Sequence, residues 1–427
     1  MNVLIVGGGG REHALAWKLA KSPGVSQLYC APGNPGIAAH SVCAPLDPMD
    51  VDGLVAFAEE KEIGLTVVGP EDPLAAGITD AFAAKDLQVF GPSRGAAALE
   101  SSKSFAKDLM ERYEIPTAAY ARFTDPEAAK DYIRRAGRPL VVKADGLAAG
   151  KGVTVAEDEA GAIAAVEAAM ERRVFGAAGA AVVIEERLVG EEASVLALAD
   201  GENILTLAPS QDHKPVFDGG AGPNTGGMGA YSPTPAVTDE DLEFIEEHVV
   251  QRCVDAMAKE GLPYQGVLYA GLMLTDEGPK VVEFNCRFGD PETQVVLPRL
   301  ENDLLPLLLA ACEGTLDSQA LVWGGGACVT VVLASGGYPG VYEKGKVIMG
   351  VEEAEAEAGV HVFHAGTRFE EGRLLTNGGR VLNVTATGAD IPDAIAKAYR
   401  AVDKVRFEGR HFRRDIGHKA LERLGKA

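Results

Sequence analysis

Val281-Val282-Glu283-Phe284-Asn285-Cys286-Arg287-Phe288-Gly289-Asp290-Pro291-Glu292-Thr293-Gln294 is the most informative stretch of the chain. Read as a strand, its side chains alternate between two faces, so Glu283, Asn285 and Arg287 share one side while Val282, Phe284 and Cys286 fill the other. Oxygen donors two residues apart suit Mg²⁺, which takes one or two carboxylates and completes its shell with phosphate oxygens and water. Arg287 on the same face can neutralise a transferring phosphoryl group or a substrate anion. Asp290 and Glu292 follow at once, which a half-exposed strand carrying one internal ion pair does not explain.

Upstream, Val141-Val142-Lys143-Ala144-Asp145-Gly146-Leu147-Ala148-Ala149-Gly150-Lys151-Gly152-Val153 joins two strand-like runs through a loop of small residues bracketed by lysines. It is not a Walker loop. Its glycines are one residue too close, Gly152 stands where the metal-binding Ser or Thr belongs, and a strand follows instead of a helix. A glycine loop between antiparallel strands can instead fold over a nucleotide as a flap, with Lys143 neutralising phosphate from the strand below. In Val183-Ile184-Glu185-Glu186-Arg187-Leu188-Val189-Gly190-Glu191-Glu192, a strand is followed by a short turn and further acids. Backbone groups of such a hinge can read an adenine edge, and Glu192 can accept from ribose hydroxyls.

At the N-terminus, Gly7-Gly8-Gly9-Gly10-Arg11-Glu12-His13 follows an apolar run and opens a helix, where free N–H groups and the helix dipole favour an anion. The dinucleotide fingerprint fails, because Glu12 or His13 occupies the third glycine position, so NAD is disfavoured. Between Asp218 and Gly229, six glycines and Pro223 predict a loop without regular structure, either a linker or a segment that covers a ligand.

Strand-like runs at Val3–Val6, Gln27–Cys30, Leu65–Val68 and Gln88–Phe90 alternate with helical patterns at Val51–Glu62 and Leu74–Lys85, where Pro73 falls in a first turn. This rhythm predicts a parallel α/β domain over residues 1–102. A helix at Lys103–Tyr113, strands at Leu140–Lys143, Val153–Ala156 and Val182–Glu186, and a helix at Ala160–Arg172 belong to a central domain over 103–320. The runs Cys328–Ala334, Lys346–Met349, His361–Ala365 and Arg380–Thr387, with a helix at Ile391–Lys404, make a β-rich α+β domain over 321–427. The acidic run Glu352–Glu357 reads as a solvated helix face.

The chain has 427 residues, 40 of them Lys or Arg and 62 Asp or Glu, for a net charge of −22. That field argues against nucleic acid or an anionic membrane as partner. Six scattered cysteines without a C-x-x-C pair predict neither zinc site nor disulfide framework. The chain starts directly on a strand pattern, its longest apolar stretch is broken by Gly324–Gly326, and a cytoplasmic location is expected.

Taken together, the Lys151 loop, the Glu185–Glu192 hinge and the Glu283-x-Asn285 strand resemble an ATP-grasp domain, whose two α/β subdomains clamp ATP. Arg287–Gln294 resembles the signature of the glycinamide ribonucleotide synthetase (phosphoribosylamine–glycine ligase) family, and Gly222–Tyr231 resembles its glycine loop. So do Gly7–Ala14, Lys143–Val153, Gln211–Lys214, Gly337–Gly340 and Gly378–Val384, which spread the resemblance over all three domains.

The resemblance implies a central two-subdomain ATP-grasp fold with a flap over about 118–192, and ligation of glycine to 5-phosphoribosylamine with ATP and Mg²⁺ or Mn²⁺ in purine synthesis. It implies that Lys103, Lys143, Gly150, Lys151 and Gly152 meet ATP phosphates, Glu185, Glu186 and Leu188 the adenine, and Glu192 the ribose. Glu283 and Asn285 would hold the metal. Arg287, Asp290, Asp212 and Lys214 would serve the chemistry, with Asn224, Thr225, Gly226, Gly227, Met228 and Gly229 as the substrate loop and Gly9, Gly10, Arg11 and Glu12 at the ribose phosphate. A monomer is expected. Two departures stand out: Leu268–Thr275 lacks the acidic metal ligand many ATP-grasp enzymes carry there, and Gly220 replaces an aspartate expected in the loop. An ATP-grasp carboxylase-like ligase is the nearest alternative and a non-catalytic nucleotide sensor a second, with a nicotinamide oxidoreductase last.

Overall fold

Short, largely apolar runs in the first hundred residues form a five-stranded parallel sheet, in the order Val42–Cys43, Gln27–Pro32, Asn2–Gly7, Ile63–Val68, Val89–Phe90. The computed structural model describes residues 1–148 and 151–425. Strand order reverses on either side of Asn2–Gly7, and in doubly wound sheets ligands bind outside the carboxyl ends at that reversal. Two segments leave the sheet there: Gly8 to Arg11, which enters the helix Gly10–Leu19, and Gly69 to Glu71, which enters the helix Glu71–Ala76. The single helix expected over Leu74–Lys85 is instead two, Glu71–Ala76 and Ile78–Ala83, because Gly77 between them adopts a left-handed φ of 96°.

Two antiparallel four-stranded sheets follow. The first has the order Tyr120–Phe123, Val182–Glu186, Leu140–Ala144, Val153–Ala156, and one face buries Leu140, Val142 and Ile184 against Ile133, Ala162 and Val166 of its helices. The second runs Ile204–Thr206, Glu191–Asp200, Gln265–Thr275, Gly278–Asn285. A bulge in the last pairing, where Gly271 faces Glu283 and Leu272 faces Val281, leaves Val282 without an opposite residue. The alternation expected for this strand is therefore corrected at one position. Val281 is the core residue and Val282 turns with Glu283 toward the cavity.

The C-terminal sheet has the order Gln211–Asp212, Gly229–Ser232, Ala327–Ala334, Arg380–Gly388, Val360–His364, all antiparallel, so the central region lends it two strands. Between those two, the segment expected to lack regular structure forms a hairpin. Pro215–Phe217 pairs with Ala221–Asn224 across a turn in which Gly219 and Gly220 take φ of 70° and 73°. The glycines serve the turn, and Pro223 is tolerated because the strand is an edge. The expected strand at Lys346–Met349 is absent. Val347 and Met349 each make one bridge to a different partner, Leu375 and Arg406. The helix Val351–Glu355 exposes Glu352 and Glu353, as its acidic run predicts.

A common apolar core holds the three regions together. It joins Val3, Ile5 and Leu15 to Leu196 and Val267 of the central sheet, Leu304 and Leu308 of the helix Leu304–Glu313, and Cys328 and Phe363 of the C-terminal sheet. At about 25 cal/mol per Å² of buried apolar surface, such a shared core resists separation of the regions.

Imidazoles crowd one seam of this assembly. His13 lies 5.6 Å from His40 and 5.6 Å from His364 by ring centroids, and its Nδ1 accepts the His364 amide at 2.7 Å. Burial lowers the pKa of His13, with His364 and His40 adding to the effect, and burial holds His361 and His364 down to about 4. A histidine kept neutral in the fold contributes stability above its unfolded value near 6.5 and loses it as pH falls toward 4, by about 1.4 kcal/mol per pH unit for each fully excluded ring. Thermal unfolding should therefore drop steeply between pH 6.5 and 4.5, and His364→Asn should flatten that slope by about one proton's worth. Equal slopes in the two proteins would remove this account.

Candidate active site

A cavity of about 660 Å³ lies between the two antiparallel sheets and the carboxyl end of the parallel sheet. Its floor is the strand Gly278–Asn285 and the turn that follows. Glu283, Asn285 and Arg287 all line it, as do Asp290 and Glu292. Among the described residues Glu283 has no direct ion-pair or side-chain hydrogen-bond partner. Burial alone would raise its pKa, but Lys214, Lys143, Lys103 and Arg287 together hold it below the usual carboxylate value. An unshared, ionised carboxylate beside the Asn285 amide is a donor pair that fits Mg²⁺ with phosphate oxygens. Tyr269 stands opposite Asn285 on the neighbouring strand, and no cluster of three or more His, Cys, Asp or Glu among the described residues has metal-binding geometry.

Arg287 is braced by two separate segments of the N-terminal region. Its Nε lies 3.2 Å from Glu71 and its Nη2 3.3 Å from Glu100, while Nη2 also reaches Asn285 Oδ1 at 3.4 Å. Sequence reasoning missed both acids because each belongs to a distant segment with no local motif. Burial pushes Glu100 up to about 7 against the pull of Arg287, whereas at Glu71 the attraction of Arg287 and Arg11 overcomes burial and holds the carboxyl at about 2.

On the roof, Leu140–Ala144 pairs antiparallel with Val153–Ala156, and Leu147, Ala148 and Gly152 from the segment between them line the cavity. Lys143 donates to Val282 O at 2.8 Å and pairs with Glu185 at 2.8 Å, tying the roof to the floor. Glu185 is also paired with the buried Lys107 at 3.1 Å, which in turn donates to Thr117. The carboxylates of Glu185 and Glu186 are thus occupied, the latter by Ala119 N and Arg138, and what this hinge offers the cavity is its backbone with Arg187 and Leu188. Lys103, at the start of the helix Lys103–Arg112, lines the cavity and burial lowers its pKa. Gly152 lines it, Lys151 is exposed outside it, and Gly150 lies outside the described residues.

Asp212 and Lys214 come from the edge strand Gln211–Asp212 and the residues after it. Lys214 pairs with Glu192 at 3.1 Å, and those two acids hold its ammonium in the charged form against burial. Burial pushes Asp212 up to about 7 despite Lys214. Tyr269 donates to Glu292 at 3.0 Å beside them. Both residues line the cavity, and neither was picked out as a binding residue from the sequence.

The remaining expected residues divide. Arg11, Asn224, Thr225 and Gly226 line the cavity. Gly9, Gly10 and Glu12 do not. Glu12 accepts from Gly9 N at 2.6 Å and from Arg11 Nε at 2.6 Å, so it caps the helix and aims Arg11. Only glycine at 7 and 69 leaves it room, since a Cβ there would stand 2.7 and 2.1 Å from Glu12 atoms. Gly227 takes a left-handed φ of 110°, Gly229 begins the strand Gly229–Ser232, and Met228 is fully buried against Val216 and Ala334. Tyr338 and Arg380 reach the cavity from the C-terminal region. Both lie in segments noted above for their resemblance, but their spacing in sequence says nothing of their meeting.

Residues 1–100, 101–293 and 328–419 match the N domain, the ATP-grasp (A) domain and the C domain of phosphoribosylglycinamide synthetase. The chain is 55% identical over 423 residues to the phosphoribosylamine–glycine ligase of Mesorhizobium japonicum and 54% identical over 423 residues to that of Agrobacterium fabrum, covering 99% of each chain in both cases. The crystal structure of the Thermotoga maritima phosphoribosylamine–glycine ligase superposes with a TM-score of 0.82 at 34% identity, over 97% of this chain and all of that one. The three matched domains in order, the full-length identity and the cavity they jointly line place this chain in the phosphoribosylamine–glycine ligase family.

Proposed function

We propose that this chain joins glycine to 5-phosphoribosylamine through a glycyl phosphate, converting ATP to ADP and phosphate. The observation that carries the reading is the composition of one cavity, in which the ATP-grasp residues Lys103, Lys143, Gly152 and Glu283 face a second polar set, Arg11, Asp212, Lys214 and Asp290. One carboxylate and one amine must meet there with a nucleotide. A glycine oxygen attacks the γ-phosphorus and ADP leaves. The amine nitrogen then attacks the acyl carbon, phosphate departs, and the nitrogen gives up a proton. Lys103 and Lys143 offset the phosphate charge, the Glu185–Leu188 backbone reads the base, and Glu192 meets the ribose. Arg287 stabilises the transferring phosphoryl group. Asp212, Lys214 and Asp290 orient the amine, with Asp212 buried and near neutrality so that it can hold the released proton. Glu283 and Asn285 would hold Mg²⁺ or Mn²⁺, which supplies charge neutralisation at the phosphates. Exclusion of water under the flap protects the acyl phosphate.

The reading includes action as a monomer in the cytoplasm; among the described residues no helix is long and apolar enough to cross a membrane. Its test is ADP release by purified protein, which should require both glycine and 5-phosphoribosylamine. Turnover with bicarbonate in place of glycine would favour the carboxylase-like alternative, and ATP binding without turnover the sensor.

A further inference from the structure

We propose that Arg380, the first residue of the strand Arg380–Gly388, is a positioning residue that latches the Asn224–Gly227 loop and thereby sets affinity for the amine substrate. The inference rests on the ligation reading above. The guanidinium Nη1 donates to Gly226 O at 2.7 Å, to Asp290 O at 2.7 Å and to Gly227 O at 3.4 Å, and it lies 3.3 Å from the Asp290 carboxylate. The Tyr338 hydroxyl accepts the Gly226 N–H at 3.3 Å. Two side chains of the C-terminal region thus hold both main-chain polar groups of Gly226. The loop's other bonds are local: Thr225 donates to Lys214 O from its amide at 2.8 Å and its hydroxyl at 2.7 Å, and Gly227 N donates to the Thr225 hydroxyl. The preceding strand Ala221–Asn224 is exposed throughout.

Gly226 fits because it has no side chain. A Cβ there would come within 3.1 to 3.3 Å of three guanidinium atoms. The same arginine steadies Asp290, whose Oδ2 accepts the Arg11 amide at 3.2 Å and whose Oδ1 accepts from Gln294 at 2.8 Å. Arg380 therefore joins the loop to the signature turn and, through Asp290, to the helix start, where it lines the cavity. None of its partners belongs to the set proposed for ATP. A shift of about 1 Å in groups that orient a reactant can cost about a hundredfold in rate.

The experiment is steady-state kinetics with direct ATP binding on the full chain. Arg380→Ala should lower kcat/KM for 5-phosphoribosylamine by about 10- to 100-fold, chiefly through KM, while the ATP dissociation constant changes by less than about twofold. Arg380→Lys should restore it only in part, because the bonds to Gly226 O and Asp290 O come from the terminal Nη1 and a lysine ammonium ends short of that position. Gly226→Ala should weaken the amine substrate in the unaltered background and add little to Arg380→Ala, since the crowding partner is then gone. Parallel loss of ATP and amine affinity, or additive effects in the double variant, would overturn the latch and leave Arg380 a general stabiliser. Failure of the unaltered protein to ligate glycine would instead sink the reading on which the latch rests.

Discussion

Glu283→Gln should abolish useful turnover, lowering kcat by about a thousandfold or more, equivalent to about 4 kcal/mol of transition-state stabilisation. The substitution keeps the shape and one carbonyl oxygen, so it removes a charge without opening a cavity. That charge is poised for a cation: Glu283 is ionised against its burial by four surrounding basic groups, yet none of them is in direct contact with it. A purely structural carboxylate would be clasped, as Glu185 is by Lys107 and Lys143 at 3.1 and 2.8 Å. Loss of Glu283 should accordingly cost at most about 1 to 2 kcal/mol of folding stability, a shift of a few degrees in the melting midpoint. The decisive readout beside turnover is ATP binding with and without Mg²⁺. The gain in affinity that the cation confers on the unaltered protein should shrink in the variant. Unchanged turnover, or an unchanged gain from Mg²⁺, would remove Glu283 from the metal site.

Local chemistry was legible where one segment carries several groups at fixed spacing. Glu283, Asn285, Arg287 and Asp290 were readable because a strand and its turn deliver them together, and Lys143 with Gly152 because a short loop between paired strands brings its two ends together. The bulge at Val282 was not readable, since it depends on how Gly271 and Leu272 meet the strand from the other side. The parallel sheet followed from alternating strand and helix patterns, whereas the hairpin Pro215–Asn224 was hidden because glycine and proline signal a turn without saying which residues flank it. Glu71, Glu100, Lys107, Tyr338 and Arg380 are single residues from separate elements. Only the packing of three regions on a common core brings them to the cavity. Glu12 shows the converse: its spacing from Gly9 is that of a helix cap, and capping is how it is used.

Arg287→Met should damage both activity and stability, and a second substitution should separate the two. Removing a preorganised cation from the phosphoryl-transfer site is expected to cost about 10²- to 10³-fold in kcat. The same change strips Glu71 and Glu100 of the arginine that lies 3.2 and 3.3 Å from them, and breaking a buried pair typically costs about 3 to 5 kcal/mol. The stability loss should depend on pH in a definite direction. In the unaltered protein Glu71 is held at about 2, so its contribution is present above the unfolded value near 4.5 and is lost as pH falls. Glu100 is pushed up to about 7, so folding takes up a proton there and its contribution is lost as pH rises through 7. Without Arg287 both carboxyls move upward, and each can escape its unpaired charge by protonation only at low pH. The destabilisation of Arg287→Met should therefore be present already at pH 5, where the paired Glu71 charge loses its partner, and grow further toward pH 8 as Glu100 ionises, as read by denaturant or thermal unfolding across that range. Adding Glu100→Gln removes the more deeply buried of the two stranded charges and should recover much of the stability at pH 8. It should recover none of the activity, because the cation facing the substrate is still missing. Activity returning together with stability in the double variant would mean that Arg287 serves only to neutralise Glu100, and that the phosphoryl group is stabilised by Lys103 and Lys143 without it.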